Sequence, residues 1–348
     1  MDFKKVLTNW YSINKRELPW RNTKNPYHIW LSEIIMQQTQ IKQGLPYYEA
    51  FVTNYPTVFD LANAQEQDIL KLWQGLGYYS RARNLHASAK YVANELKGVF
   101  PLSYSGLIKL KGVGDYTASA IASICFDEPT AVVDGNVYRV LSRYFGIDTP
   151  INSTQGNKEF KKLATSLIDS KNPGDYNQAL MEFGATQCKP KNPYCLACPL
   201  KDSCVALQKG SIESLPVKLK KTKVTKKHFN FLVLISSDKR TLFEKRSSKG
   251  IWLNLYQFPL IETTQELPLA NFKTHPKIIS YFKDIKFEYS LYNTKELIHK
   301  LSHQHLYTKF WIIEVDELPK RGIPISELKS YPTPIVIGNF IEEFNFPT

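Results

Sequence analysis

From residue 1 to about 210 the apolar residues recur at helical spacing with few alternating β-branched runs, which predicts an almost entirely α-helical region. Asn25 and Pro26 read as the N-cap and first-turn proline of a helix running through YHIWLSEIIMQQTQ. The segments AQEQDILKLWQGL, SRARNLHASAKYVANEL and TASAIASICF repeat the pattern, and a glycine-containing turn from Leu110 to Gly114 interrupts it between two helices. After His228 the texture changes to short β-branched and aromatic runs, FNFLVLISS, TLFEKR, YFKDIKFEYSLY and TKFWIIEV, which predict a smaller α+β domain. Between them SIESLPVKLKKTKVTKK, residues 211–227, has one proline, many lysines and little apolar content. It reads as a solvated basic linker.

A chain of 348 residues is expected to hold two or three modules. Its 43% hydrophobic and 22% charged residues are those of a soluble globular protein, and no apolar run approaches the ~20 residues that span a bilayer. No membrane association is expected. The opening MDFKKVLTNW lacks the apolar core and cleavage site of a secretory signal, so a reducing, intracellular location is expected. A formal charge of +13 favours a polyanionic partner, which composition alone leaves unnamed.

Four of the five cysteines, Cys188, Cys195, Cys198 and Cys204, form C-x6-C-x2-C-x5-C, whereas Cys125 lies within an apolar helix as a structural thiol. Such clustering in a reducing compartment favours a metal centre over disulfides, with zinc or a [4Fe–4S] cluster as candidates. A single C-x2-C pair flanked by unequal spacers suits the cluster better than paired zinc knuckles, and a brown purified protein would decide. Gly112, Val113 and Gly114 make a tight turn at the start of a helix, where backbone N–H groups can hold a phosphate without reading sequence. The same turn serves ordinary helical hairpins. Twenty residues beyond Gly114, Asp134 precedes another helical run, where it fits an N-cap.

LPWR at 18–21, SEIIMQQT at 32–39, GLGYYSRARNLH at 75–86 and VDGN at 133–136, together with the cysteine spacing, resemble the MutY-type adenine DNA glycosylases of the helix-hairpin-helix, iron–sulfur superfamily. The resemblance implies a multidomain protein, an all-α glycosylase half with a [4Fe–4S] loop plus an α+β Nudix-like C-terminal domain. The expected organisation is a catalytic region over 1–210, with a six-helix module at about 23–131 and an iron–sulfur module from 1–22 and 132–210, then the linker at 211–227 and the Nudix-like domain at 228–348. By the same resemblance Glu33 is the general acid and Asp134 its partner carboxylate, with Tyr116 and Asn136 lining the pocket. Protonating adenine N7 must accompany C1′–N9 cleavage, and the electron-poor sugar needs a nearby anion; two carboxylates in unlike surroundings supply both. The apolar neighbours Ile29, Trp30, Ile34, Ile35 and Met36 should raise the pKa of Glu33. Asp134 should stay ionised, either stabilising the cation or capturing it as a transient adduct.

Related glycosylase–lyases carry a Schiff-base lysine where this chain has Tyr116, so a monofunctional enzyme that leaves an abasic site is expected. Gln38 should insert beside the opposite base and Tyr78 should wedge the neighbouring step. Arg21, Arg81 and Arg83 are further candidates for DNA contact. The expected partner is double-stranded DNA carrying adenine opposite 8-oxoguanine or guanine, bound by a monomer. KGIWLNLYQFPL at 249–260 resembles the Nudix Gly…Trp…Phe-Pro pattern, and Leu301, Ser302 and His303 fall where the family commonly has Phe-Ser-His, implying lesion recognition by Ser302 and His303. Three rivals remain: an endonuclease III-like glycosylase/lyase, a non-catalytic iron–sulfur DNA-binding protein, and a Nudix nucleotide hydrolase. The last needs a glutamate cluster, and between Gly250 and His275 the only acids are Glu262 and Glu266.

Overall fold

A computed structural model describes residues 2–219, 224–283 and 285–347. The chain packs as two compact units, Met1–Asn63 with Asn84–Lys220, and Ala64–Arg83 with Lys221–Thr348. The segment 64–83, which contains the helix Glu66–Leu72, therefore groups with the C-terminal part of the chain.

The first unit is helical. Its helix Pro26–Met36 starts where Asn25 accepts a hydrogen bond from the Tyr27 N–H at 2.9 Å. Tyr27, Ile29, Trp30, Leu31, Ile34 and Ile35 are all buried, so the helix is apolar on nearly every side and belongs in the interior. Trp30 packs against Phe100 with ring centroids 5.4 Å apart. The helix ends at Met36 rather than continuing to Gln40, because Gln38 adopts a left-handed φ of 54°. The hairpin turn joins Tyr104–Leu107 to Asp115–Phe126, and the latter is buried from Thr117 to Ile124. Helices Gly135–Phe145 and Pro173–Thr186 pack against one another and complete the surroundings of the site.

The expected solvated tether is partly a strap on this unit. Leu215 is buried and its carbonyl accepts from Arg143 Nε at 3.1 Å, while Val217 O accepts from the Ile151 N–H at 3.0 Å. Linker residues 220–223 lie outside the described residues. The first strand begins at Thr225, ahead of the expected His228, because Thr225 to Lys227 continue the pairing with Gln304 to Leu306.

In the second unit, Thr225–Ser236 runs parallel to Gln304–Val315 at the centre of a sheet. Leu260–Thr263 pairs with the first of these strands, and Glu288–Leu291 and Leu297–Lys300 pair with the second, all antiparallel. Leu232, Leu234, Trp311 and Ile313 form one face of its core, with Phe272 stacked on Trp311 at 4.1 Å. Two expected strands differ from the structure. YFKDIKFEYSLY contributes only Glu288–Leu291, since Pro276 opens a helix that runs to Tyr281. TLFEKR divides into the short strands Arg240–Thr241 and Glu244–Lys245, which join separate two-stranded ribbons.

Candidate active site

Three helices of the first unit bring Glu33, Tyr116, Asp134 and Asn136 together. Glu33 projects from the buried helix Pro26–Met36, Tyr116 from the start of Asp115–Phe126, and Asp134 caps Gly135–Phe145. Asp134 Oδ1 accepts from the Asn136 and Val137 N–H groups, each at 2.8 Å, and Oδ2 accepts from Asn136 Nδ2 at 2.8 Å. The capping role suggested by the sequence thus coexists with a position in the carboxylate pair. Both acids keep partial exposure to solvent.

The two carboxylates differ in how their charge is supported. Burial pushes the Glu33 pKa up to about 7, with the charge of Asp134 adding to the rise, while a Tyr116 hydrogen bond and the Arg21 charge oppose it. Burial also raises Asp134, but the hydrogen bonds from Val137 and Asn136 and the positive charge of Arg139 counter that rise. Burial, followed by the charges of Glu33 and Asp134, holds Tyr116 well above the ordinary tyrosine range, so it remains a phenol. Its hydroxyl also donates to Met181 Sδ at 3.2 Å.

Two residues that sequence reasoning missed hold this arrangement. Arg139, 8% exposed, donates to Asn136 Oδ1 at 2.8 Å and to the Cys188 carbonyl at 2.7 Å, tying the Asp134 cap to the cysteine loop. Gly184 lets the helix Pro173–Thr186 approach closely, since a Cβ there would stand 2.7 Å from Asn136 Cβ and 2.8 Å from its carbonyl oxygen. The available signal for Arg139 was its place, with Arg143, beside Val140 and Leu141 in an otherwise buried helical stripe. A lone glycine near a helix end gave none.

Cys188, Cys195, Cys198 and Cys204 are all half-buried and line one small cavity. Among the described residues no three His, Cys, Asp or Glu side chains form a set able to hold a single metal ion. Arg143, 2% exposed, donates to Cys188 Sγ at 3.5 Å and to the Lys189 carbonyl at 2.8 Å. Burial, then the negative charge of their neighbours, pushes the thiols of Cys195 and Cys204 up and that of Cys198 to about 11. Four thiols lining one cavity are soft donors, and a cationic centre there would offset the cost of ionising them together.

The chain matches the HhH-GPD superfamily of base excision DNA repair proteins over residues 31–166 and the NUDIX domain over 230–343. An adenine DNA glycosylase of Buchnera aphidicola subsp. Schizaphis graminum is 36% identical over 308 residues, 88% of this chain and 85% of that protein. The chain belongs to the adenine DNA glycosylase family. The Homo sapiens adenine DNA glycosylase is 44% identical over 222 residues, 61% of this chain and 41% of that protein. Among solved structures, a thermostable thymine-DNA glycosylase aligns with a TM-score of 0.55 at 30% identity, covering 60% of this chain and 95% of that one. This adenine DNA glycosylase is therefore a base excision repair enzyme acting on adenine, with a helical glycosylase fold and a Nudix-like domain.

On the surface of the glycosylase, the hairpin turn exposes Gly112 and Gly114 while Val113 is buried. Gly112 has φ 83°, and a Cβ there would lie 2.8 Å from Asn84 Cβ, so both conformation and space require glycine. Gln38 and Tyr78 are exposed non-glycine residues with left-handed backbones, φ 54° and 46°. Two of the arginines expected at DNA have partners within the protein. Arg21 donates to the buried carboxylate of Glu182 at 2.7 Å, beside Arg16 at 2.6 Å, because that inward carboxylate needs cations. Arg81, 8% exposed, stacks on Trp73 and donates to the Leu76 carbonyl at 3.3 Å, bracing the turn that carries Tyr78. Burial lowers its pKa to about 10. Arg83 is half-buried and donates to the Leu253 carbonyl at 2.9 Å.

The second unit contains a cavity of about 490 Å³ whose walls include Tyr78, Trp252, His299, Leu301, Ser302 and His303. Ser302 and His303 are exposed in the short turn between Leu297–Lys300 and Gln304–Val315. Glu262 pairs with Lys227 at 3.3 Å and Arg246 at 3.4 Å, and Glu266 pairs with Lys309 at 2.7 Å. Both acids of the Gly250–His275 segment are thus engaged by side-chain cations. No helix among the described residues is long and apolar enough to cross a membrane.

Proposed function

We propose that this glycosylase, acting as a monomer, removes adenine paired with 8-oxoguanine or guanine in duplex DNA by hydrolysis, leaving an abasic site without strand cleavage. The observation that carries the chemistry is a Glu33 carboxyl raised to about 7 beside Asp134, whose two oxygens receive three N–H hydrogen bonds. Protonated Glu33 donates to N7 of the extruded adenine as the C1′–N9 electron pair leaves with the base. Ionised Asp134, oriented by Asn136, steadies the cationic sugar. Water adds to C1′ and its released proton passes to a carboxylate. Tyr116 supplies a hydroxyl and no amine, so no Schiff base forms and the lyase alternative has no nucleophile at this place.

Gln38 and Tyr78 fill the space left by the extruded base, using exposed side chains on turns already held in left-handed conformations. The Gly112, Val113 and Gly114 turn holds a phosphate. Ser302 and His303 read the base opposite adenine from the walls of the 490 Å³ cavity. Cys188, Cys195, Cys198 and Cys204 hold a [4Fe–4S] cluster, which when bound supplies charge and cross-links the loop tied to Asn136 through Arg139. The protein works in the intracellular compartment that holds the DNA, in association with the nucleoid. Incubation with duplexes carrying adenine opposite 8-oxoguanine, guanine or thymine tests the reading. Alkali-labile sites at the first two adenines, and intact strands before alkali treatment, are the expected result; no release from either mispair would refute it.

A further inference from the structure

A second basic surface is built on the helix Thr154–Leu167 of the first unit. It borders a groove of about 810 Å³ whose walls include Asp115, Val133, Tyr138, Lys158, Lys161 and Lys162. The lining includes Asp115, the residue after the hairpin turn, and Val133, the residue before Asp134. The wall therefore joins the expected phosphate-binding turn to the catalytic cap.

Its three lysines are not equivalent. Lys161 is committed inward: Nζ donates to both carboxylate oxygens of Asp115, at 3.0 and 2.9 Å, to Ser119 Oγ at 3.2 Å and to the Ala131 carbonyl at 2.7 Å. That network neutralises the acid in the groove wall and locks the helix to the hairpin helix. Lys158 and Lys162 are exposed, and among the described residues neither forms an ion pair. They stand one turn apart, about 6 Å along the helix axis, a spacing suited to successive phosphates of one strand. An unpaired cation pair beside a neutralised acid has little structural purpose, because exposed like charges at this spacing mildly destabilise a helix.

We propose that Lys158 and Lys162 bind two successive backbone phosphates of the DNA duplex, extending the hairpin contact and fixing the strand that enters the site. They are positioning residues and take no part in proton transfer. The assignment rests on the glycosylase reading above, and the test separates the two. The full-length protein is titrated with an adenine:8-oxoguanine duplex whose target sugar resists cleavage, between 50 and 200 mM salt as a practical range. The Lys158→Gln/Lys162→Gln variant is expected to bind at least tenfold more weakly at the lower salt. Its slope of log affinity against log salt should flatten by about 2, at roughly 0.9 per lost phosphate contact. On the corresponding cleavable duplex, single-turnover adenine release at limiting protein should fall along with the affinity, and Lys158→Arg/Lys162→Arg should restore both release and slope. A wild-type slope in the glutamine variant overturns the proposal, as does weaker binding with an unchanged slope, which would mean a structural effect. If the wild type binds but releases no adenine, the functional reading fails while the slope comparison still decides the groove.

Discussion

Glu33 shows how one side chain acquires its chemistry from its surroundings. On an exposed helix face it would ionise near its usual 4.5; inside the apolar helix Pro26–Met36 burial moves it to about 7. In the proposed reaction the acid acts protonated, so single-turnover adenine release is expected to decline about tenfold per pH unit above about 7, measured by quenching base release across pH 5 to 9. Replacing Glu33 with Gln should lower that rate by roughly 10²–10⁴-fold with little change in DNA affinity, because the amide keeps the shape and loses the proton. Retention of wild-type turnover would remove Glu33 from the role. Stability carries the same signature. A carboxyl raised on folding binds more protons in the native state, so wild-type stability falls as pH rises from about 4.5 through about 7. The Gln variant should therefore unfold later than wild type at pH 8 and converge with it near pH 4, a difference of ~1–3 kcal/mol read from denaturant titrations.

At the scale of elements, the site depends on how closely two helices approach. Helix Pro173–Thr186 passes the Asp134 cap at Gly184, where only a missing Cβ leaves room for Asn136. An alanine there should gain about 1 kcal/mol of intrinsic helix propensity and still harm the enzyme, because the contact it would enter includes backbone atoms. Gly184→Ala is expected to keep native helix content by circular dichroism while slowing adenine release at least tenfold under single-turnover conditions. Unchanged release would show that the cap tolerates displacement. Arg139 works through the same neighbourhood, since its guanidinium spans from Asn136 to the carbonyl of Cys188. The cysteine loop and the carboxylate cap are thereby parts of one hydrogen-bonded network.

For the molecule as a whole, the proposed reaction and the proposed reading of the opposite base fall in different units. The carboxylates belong to the helical unit, while Tyr78, Ser302 and His303 share a cavity within the second unit. Replacing both Ser302 and His303 with Ala is thus expected to erode the preference for adenine opposite 8-oxoguanine over adenine opposite guanine by at least fivefold. Release at saturating enzyme from either pair should change less. The ratio of kcat/KM values on matched duplexes measures this, and equal losses on both would place the opposite-base reader elsewhere. Glu262 and Glu266 are bound to Lys227, Arg246 and Lys309, so the Nudix-like unit directs these acids to internal ion pairs.

Local chemistry made much of this legible before any coordinates. Asn25 and Pro26 started one helix, Asp134 capped another, and the β-branched and aromatic runs after His228 marked strands, because caps, prolines and short apolar runs act within a few neighbours. Charge destinations were not legible in this way. Arg21 and Arg81 look like any other arginines in a basic chain, yet one answers Glu182, 161 residues away, and the other stacks on Trp73. The inward commitment of Lys161 and the close pass at Gly184 likewise depend on partners distant in the chain. Residue order by itself determined most helix starts, the change from helices to strands and the cysteine spacing; tertiary packing decided which charges were desolvated, which were paired and which stayed free, since those energies depend on separation in space.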